Sequence, residues 1–239
     1  MNRHTTLSLL LILTLAGASR AAEVIATSIA TNGGSASSTA TATGNAVAIA
    51  NSAATNGGRA IANSNATGLG NGFAVSRANA VADHGLAVSN STADARGFHG
   101  GVALATSDSN AATIGGTAIS NSRAEADSRF NALADSRSSA LALSRYGVAT
   151  SDSLARSTGR FGGRATAVSD SVSDTLFGQA HSRVRADSDA RSHGTAYSNG
   201  LAVSMSGPSR WSDARVSAVS RGAHWGNSRS DAVSVEVRP

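Results

Sequence analysis

Cysteine is absent from this chain, which excludes disulfides, thiolate metal sites, thiol catalysis and an acylated amino-terminal cysteine. Stability must come instead from backbone ladders, stacking of repeats or assembly with other chains. Lysine is absent too. All 20 basic residues are Arg, so the isoelectric point near 11.1 overstates a formal net charge of only +5. Aromatic residues make up 4% of the chain and are not interleaved with Arg, as stacking platforms for single-stranded nucleic acid require. Mixed Arg and acids, as in Arg123, Glu125, Asp127 and Arg129, read first as solvation and cross-strand pairing, so no specific nucleic-acid partner is expected. With two prolines in 239 residues, long strands meet few interruptions.

Against these absences stands a repeat. Each unit opens on a glycine and runs for about ten residues with Ala or Ser at every second position. From Gly72 the small positions are Ala74, Ser76, Ala78, Ala80 and Ala82; from Gly101 they are Ala103, Ala105, Ser107, Ser109 and Ala111. Further origins are Gly44, Gly58, Gly85, Gly116, Gly147, Gly163, Gly178 and Gly194, with Phe130 in place of one glycine. A period of two predicts strands, and a fixed spacing between origins predicts a stacked array. The alternate parity carries apolar residues and then charges, as in Phe73, Val75 and Arg77. This separation predicts one enclosed face of methyl and hydroxymethyl groups and one wet face. The fold class expected is all-β: a β-solenoid or β-roll with coils of about 14–16 residues and an Ala/Ser interior. Leu, Ile, Val and Phe together fall below the roughly 20% mark of disordered chains. Disorder offers no reason for parity to persist through some ten units, whereas a ladder does.

The amino terminus has Arg3 and His4, an apolar run Leu7–Ala16 and small residues before Glu23, the layout of a secretory signal peptide over 1–21. Residues 22–43 read as a low-complexity leader or a degenerate first repeat. Repeats follow over 44–204. A carboxyl-terminal cap is expected over 205–239, where Pro208, Trp211 and Trp225 precede the branched alternation Val233, Val235, Val237. No later run is long enough to span a bilayer as an apolar helix. The mature chain is expected to be secreted or at the cell surface.

The segments Ala46–Ala50, Phe73–Ser76, Leu86–Ser89, Val102–Ala105 and Thr117–Ser120 resemble the head repeats of trimeric autotransporter (YadA-like) adhesins, and more generally short-repeat β-solenoid surface proteins. The resemblance covers 44–204. It implies a β-roll, three chains side by side, and an exposed surface that attaches to host matrix, abiotic surfaces or sister cells. The chain departs from that family in having no heptad stalk.

The residues give no catalytic, cofactor-binding or metal site. His84, His99, His181, His193 and His224 fall at unrelated places in the repeat, without the spacing of a metal site. Ser-Asp-Ser at 107–109, 151–153 and 169–171 recurs as a ladder would, whereas a nucleophile needs one unique base and orienting group. The Gly-Gly pairs at 57–58, 100–101, 115–116 and 162–163 lack the following helix and Lys that cradle phosphate. Asn65-Ala66-Thr67 and Asn90-Ser91-Thr92 are glycosylation sequons in form. The expected function is a non-enzymatic structural or adhesive repeat protein that self-associates as a homo-oligomer or fibre, with a surface or matrix polymer as ligand. The alternative is a self-polymerising extracellular fibre subunit. Ice binding and polysaccharide-active solenoids rank below both.

Overall fold

The computed structural model describes residues 21–31, 34–43, 45–55, 57–70, 72–97, 102–129, 133–161, 164–191, 194–206, 211–223 and 227–237. Nearly all of the expected signal segment lies outside them, as do His99, His193, His224, Pro208 and Trp225. Every described element is a strand: β1 (Ala21–Ala30), β2 (Ser35–Thr43), β3 (Asn45–Ala54), β4 (Arg59–Gly70), β5 (Phe73–Ala82), β6 (Gly85–Gly97), β7 (Val102–Arg129), β8 (Leu133–Arg160), β9 (Arg164–Arg191), β10 (Thr195–Ser206), β11 (Ser212–Ala223) and β12 (Asn227–Val237).

All pairings are parallel and build two facing sheets. Sheet 1 runs β1, β3, β5, the first halves of β7, β8 and β9, then β10 and β12. Sheet 2 runs β2, β4, β6, the second halves of β7, β8 and β9, then β11. This is the β-solenoid that the period of two and the glycine spacing predict. The expected coil length is corrected by the register. Ala21 pairs with Asn45, a step of 24; Ala46 with Ala74, a step of 28; Val102 with Leu133, a step of 31; and Ser212 with Ala180, a step of 32. One sequence repeat is therefore one strand, half a coil, and neighbouring repeats lie on opposite sheets.

The enclosed face is the Ala/Ser parity. Ala74, Ala78 and Ala80 in β5, and Ala118, Ser120 and Ala124 in β7, are fully buried. In β7 the buried positions are odd-numbered through Thr113 and even-numbered from Ala118. The corner at Ile114–Thr117 thus shifts the parity by one residue as the strand crosses between sheets. One methyl contributes only about 0.8 kcal/mol on burial, so apolar burial is spread thinly. Hydroxyls supplement it by bonding across the interior: Ser64 Oγ donates to the Ala48 carbonyl at 2.6 Å, Ser89 to Ala78 at 2.6 Å, Ser109 to Ser89 at 2.7 Å and Ser182 to Ser171 at 2.7 Å. Each carbonyl has a second lone pair to accept such a bond, and each net bond contributes about 1 kcal/mol. A one-carbon side chain reaches the facing main chain only if the sheets lie closer than the roughly 10 Å of ordinary sandwiches.

One corner is a column of glycines. A Cβ on Gly85 would fall 2.1 Å from the Gly58 carbonyl oxygen, on Gly116 2.0 Å from that of Gly85, on Gly147 1.9 Å from that of Gly116, and on Gly178 1.7 Å from that of Gly147. Gly116 and Gly147 also have φ of 132° and 139°, which L side chains rarely adopt. The column brings successive backbones into contact at the turn and holds each coil in register with the last.

Two outer faces as candidate interaction surfaces

The outward parity of sheet 2 carries ranks of side chains that run up the solenoid. Asn63, Asn90 and Asn121 form an amide ladder, with Nδ2 of Asn90 on Oδ1 of Asn63 and Nδ2 of Asn121 on Oδ1 of Asn90, both at 2.9 Å. The rank continues as Asp152, Arg183 and Arg215. Beside it run Thr92, Arg123, Leu154 and Arg185, then Asp94, Glu125, Arg156 and Asp187, then Arg96, Asp127, Thr158, Asp189 and Arg221. The last rank is Arg129, Arg160 and Arg191. With Arg59 and Asp213, the face holds eleven arginines against seven acids. Sheet 1 holds Arg77, Arg137, Arg164 and Arg229 against six acids, Glu23, Asp108, Asp135, Asp170, Asp174 and Asp231. The two faces carry opposite net charge.

Arg123 pairs with Glu125 at 2.5 Å, Arg156 lies 3.9 Å from both Glu125 and Asp187, Arg185 pairs with Asp187 at 2.8 Å, and Arg191 with Asp189 at 3.0 Å. These pairs are solvent-exposed, contributing at most about 1 kcal/mol each, and they leave guanidinium edges turned outward. A shallow trough runs among Thr92, Arg123, Asp152, Leu154, Arg183 and Arg185, its floor formed by the ladder strands and its rim by arginine.

Sheet 1 has its own amide ladder, with Asn79 Nδ2 on Asn51 Oδ1 and Asn110 Nδ2 on Asn79 Oδ1, each at 2.9 Å. That rank turns apolar as Leu141, Val172, Val203 and Val235. At the glycine corner Tyr146 and Phe177 stack with ring centroids 5.3 Å apart, and the Arg145 guanidinium lies 5.7 Å from the Tyr146 ring. The 31-residue interval between Tyr146 and Phe177 is the sequence signal for this stack.

The structure separates the Ser-Asp-Ser segments. Asp108 and Asp170 share a rank on sheet 1 with Ser139 between them, and Asp152 stands on the opposite face, so the three do not form one ladder. Their serines are buried: Ser109 and Ser171 donate to main-chain carbonyls across the interior. His84 meets Asp83 at 2.6 Å and His181 meets Asp213 at 3.3 Å. Among the described residues no group of three His, Asp or Glu side chains is placed to hold a metal ion. Asn90 of the second sequon has its amide engaged in the sheet 2 ladder.

Burial raises the Asp170 carboxyl above its ordinary value of 3.8. Burial also raises Asp108, with Arg77 at 3.6 Å acting in the opposite sense. A folded-state value above the unfolded one means that protonation favours the fold. This contribution is fully present below about pH 3.8 and is lost as the pH rises through the folded value. Asp170→Asn is therefore expected to raise the melting temperature at pH 7 and to match the parent below about pH 3.8; a pH-independent difference between the two melts refutes this.

No family model matches the chain, and no curated protein or solved structure matches it.

Proposed function

We propose that this chain is an exported, non-enzymatic repeat protein that builds a rigid structural element of a cell surface or extracellular matrix and attaches through the outer face of sheet 2. The observation that carries this reading is the gathering of eleven arginines, against seven acids, on one outer face whose ranks repeat at the strand spacing of roughly 4.8 Å. A surface of this kind suits an extended anionic polymer, such as an acidic polysaccharide, better than a small molecule, because its charge is distributed and has no enclosed centre. Export rests on the apolar run Leu7–Ala16 behind Arg3.

The test is retention on an immobilised acidic polysaccharide together with attachment of cells carrying or lacking the chain. Arg123→Ser, Arg156→Ser and Arg185→Ser combined are expected to lower affinity by about tenfold or more, since each loses an exposed charge contact. The same number of changes among the sheet 1 arginines should have little effect. Binding is expected to weaken as salt shortens the screening length. Equal losses from both sets, or attachment that is unchanged without the chain, refute the proposal.

The fibre subunit is the second reading, and one observation favours it: among the described residues β1, β2, β11 and β12 each pair along one edge only. Unbranched filaments many chains long, seen by electron microscopy of the purified chain, would support it.

A further inference from the structure

The carboxyl-terminal end of the solenoid is a step. Among the described residues the path enters sheet 1 last, so sheet 1 runs to β12 while sheet 2 stops one strand lower on β11. Among the described residues β11 pairs with β9 alone and β12 with β10 alone. In β10 the inward parity is buried throughout, whereas β12 is exposed on both parities, including inward Ser230, Ala232 and Ser234. Its outward Val233 is 51% exposed and Val237 is 40% exposed, an apolar edge of the kind soluble proteins usually blunt. Side chains of β12 reach the lower tread at Ala214. The Ala214 amide donates to the Glu236 carboxylate at 3.3 Å, and Ser234 Oγ donates to the Ala214 carbonyl at 2.5 Å. From Arg215 to Ala223, β11 has no fully buried residue.

We propose that the step is filled by β12 of a second copy of this chain, the two related by a two-fold axis parallel to the strands. Such an axis reverses the direction of the solenoid and exchanges its sheets. Each β12 then lies at the end of the partner's sheet 2, antiparallel to β11, and both sheets become continuous through the pair. The fit follows from the topology: sheet 1 projects by one strand, sheet 2 stops short by one strand, and β12 and β11 are 11 and 12 residues long. The Asn227 amide bonds the Gly194 carbonyl beside β10, and main-chain groups of successive residues point to opposite edges of a parallel strand. Ser228, Ser230, Ala232 and Ser234 therefore present their amides to the free edge. A contact that uses the same surface on both molecules closes on itself, so this end makes pairs and not filaments.

Light scattering on the purified full chain is expected to give twice the chain mass. Ala232→Pro removes an edge amide from a position where an edge strand tolerates proline, and is expected to give the single-chain mass with unchanged strand circular dichroism. Because the chain has no cysteine, geometry is read directly by cross-linking, which keeps the test decisive should the proline variant not fold. Val235 and Asp213 point outward on opposite faces of one molecule at the same height along the strands, and an axis along the strands keeps that height, so it brings them side by side on one face of the proposed pair. Chains carrying Val235→Cys mixed with chains carrying Asp213→Cys or Arg215→Cys are expected to form mixed disulfides. A single-chain or three-chain mass for the parent overturns the proposal. So do cross-links from Val235→Cys only to itself or to Thr27→Cys at the other end of sheet 1.

Discussion

Gly147→Ala is expected to abolish the fold. Its Cβ would lie 1.9 Å from the Gly116 carbonyl oxygen and 2.8 Å from the carbonyl carbon, and these are backbone atoms that cannot swing aside as a flexible side chain would. Relief requires opening the ladder between β7 and β8 at the corner where both strands cross from one sheet to the other. The φ of 139° at Gly147 adds conformational strain for any L side chain. With stability resting on ladders and small interior groups, the loss is expected to exceed about 4 kcal/mol. Gly159→Ala is the contrasting substitution: Gly159 sits in an interior rank between Ser128 and Ala190, both of which already carry a Cβ, and it is expected to be tolerated within about 0.5 kcal/mol. Thermal melts by circular dichroism and limited proteolysis compare the two. A Gly147→Ala protein that melts with the parent removes the glycine column as the element that fixes coil register.

What was legible in the sequence was whatever is local. Ala74, Ser76 and Ala78 show their shared face through a period of two, and the structure buries all three. The coil was not legible from parity, because the repeats opening at Gly101 and Gly116 carry the same Ala/Ser signature although they belong to opposite sheets. The longer interval was present in Gly85, Gly116, Gly147 and Gly178, which are spaced by 31 and stack directly. Taking one repeat as one coil merged the two outer faces, so the interleaved Arg and acids read as a single balanced surface. Separating alternate repeats assigns Arg123, Arg156 and Arg185 to one face and Asp108, Asp135 and Asp170 to the other. The interior bonds from Ser64 to Ala48 and from Ser89 to Ala78 depend on how closely the sheets approach, a tertiary distance that composition suggests only through the smallness of the side chains.

That distance makes Gly200→Val the second substitution with a large expected effect. Among the described residues Val184 is the bulkiest fully buried side chain, where the others are Ser and Ala, and it is admitted at a place where sheet 1 presents a glycine. A Cβ on Gly200 would stand 2.9 Å from Cγ1 of Val184 and 2.9 Å from Cγ1 of Val216. Sheet 2 and sheet 1 thus share a fixed thickness here, a branched residue on one side compensated by the missing side chain on the other. Gly200→Val overfills this layer and is expected to cost about 3 kcal/mol or more, the upper range for overpacking, because the flanking ladders resist separation. Val184→Gly alone leaves a void and costs about 1–3 kcal/mol. Combining the two restores total volume, leaving Val216 as the residual contact. The double variant is therefore expected to be more stable than the sum of the single losses by about 2 kcal/mol. Denaturant melts of the four proteins in this cycle measure that coupling directly. Additive losses would mean that the sheets adjust their spacing independently at the two positions, and the close approach inferred from the serine bonds would then not be a fixed dimension of the fold.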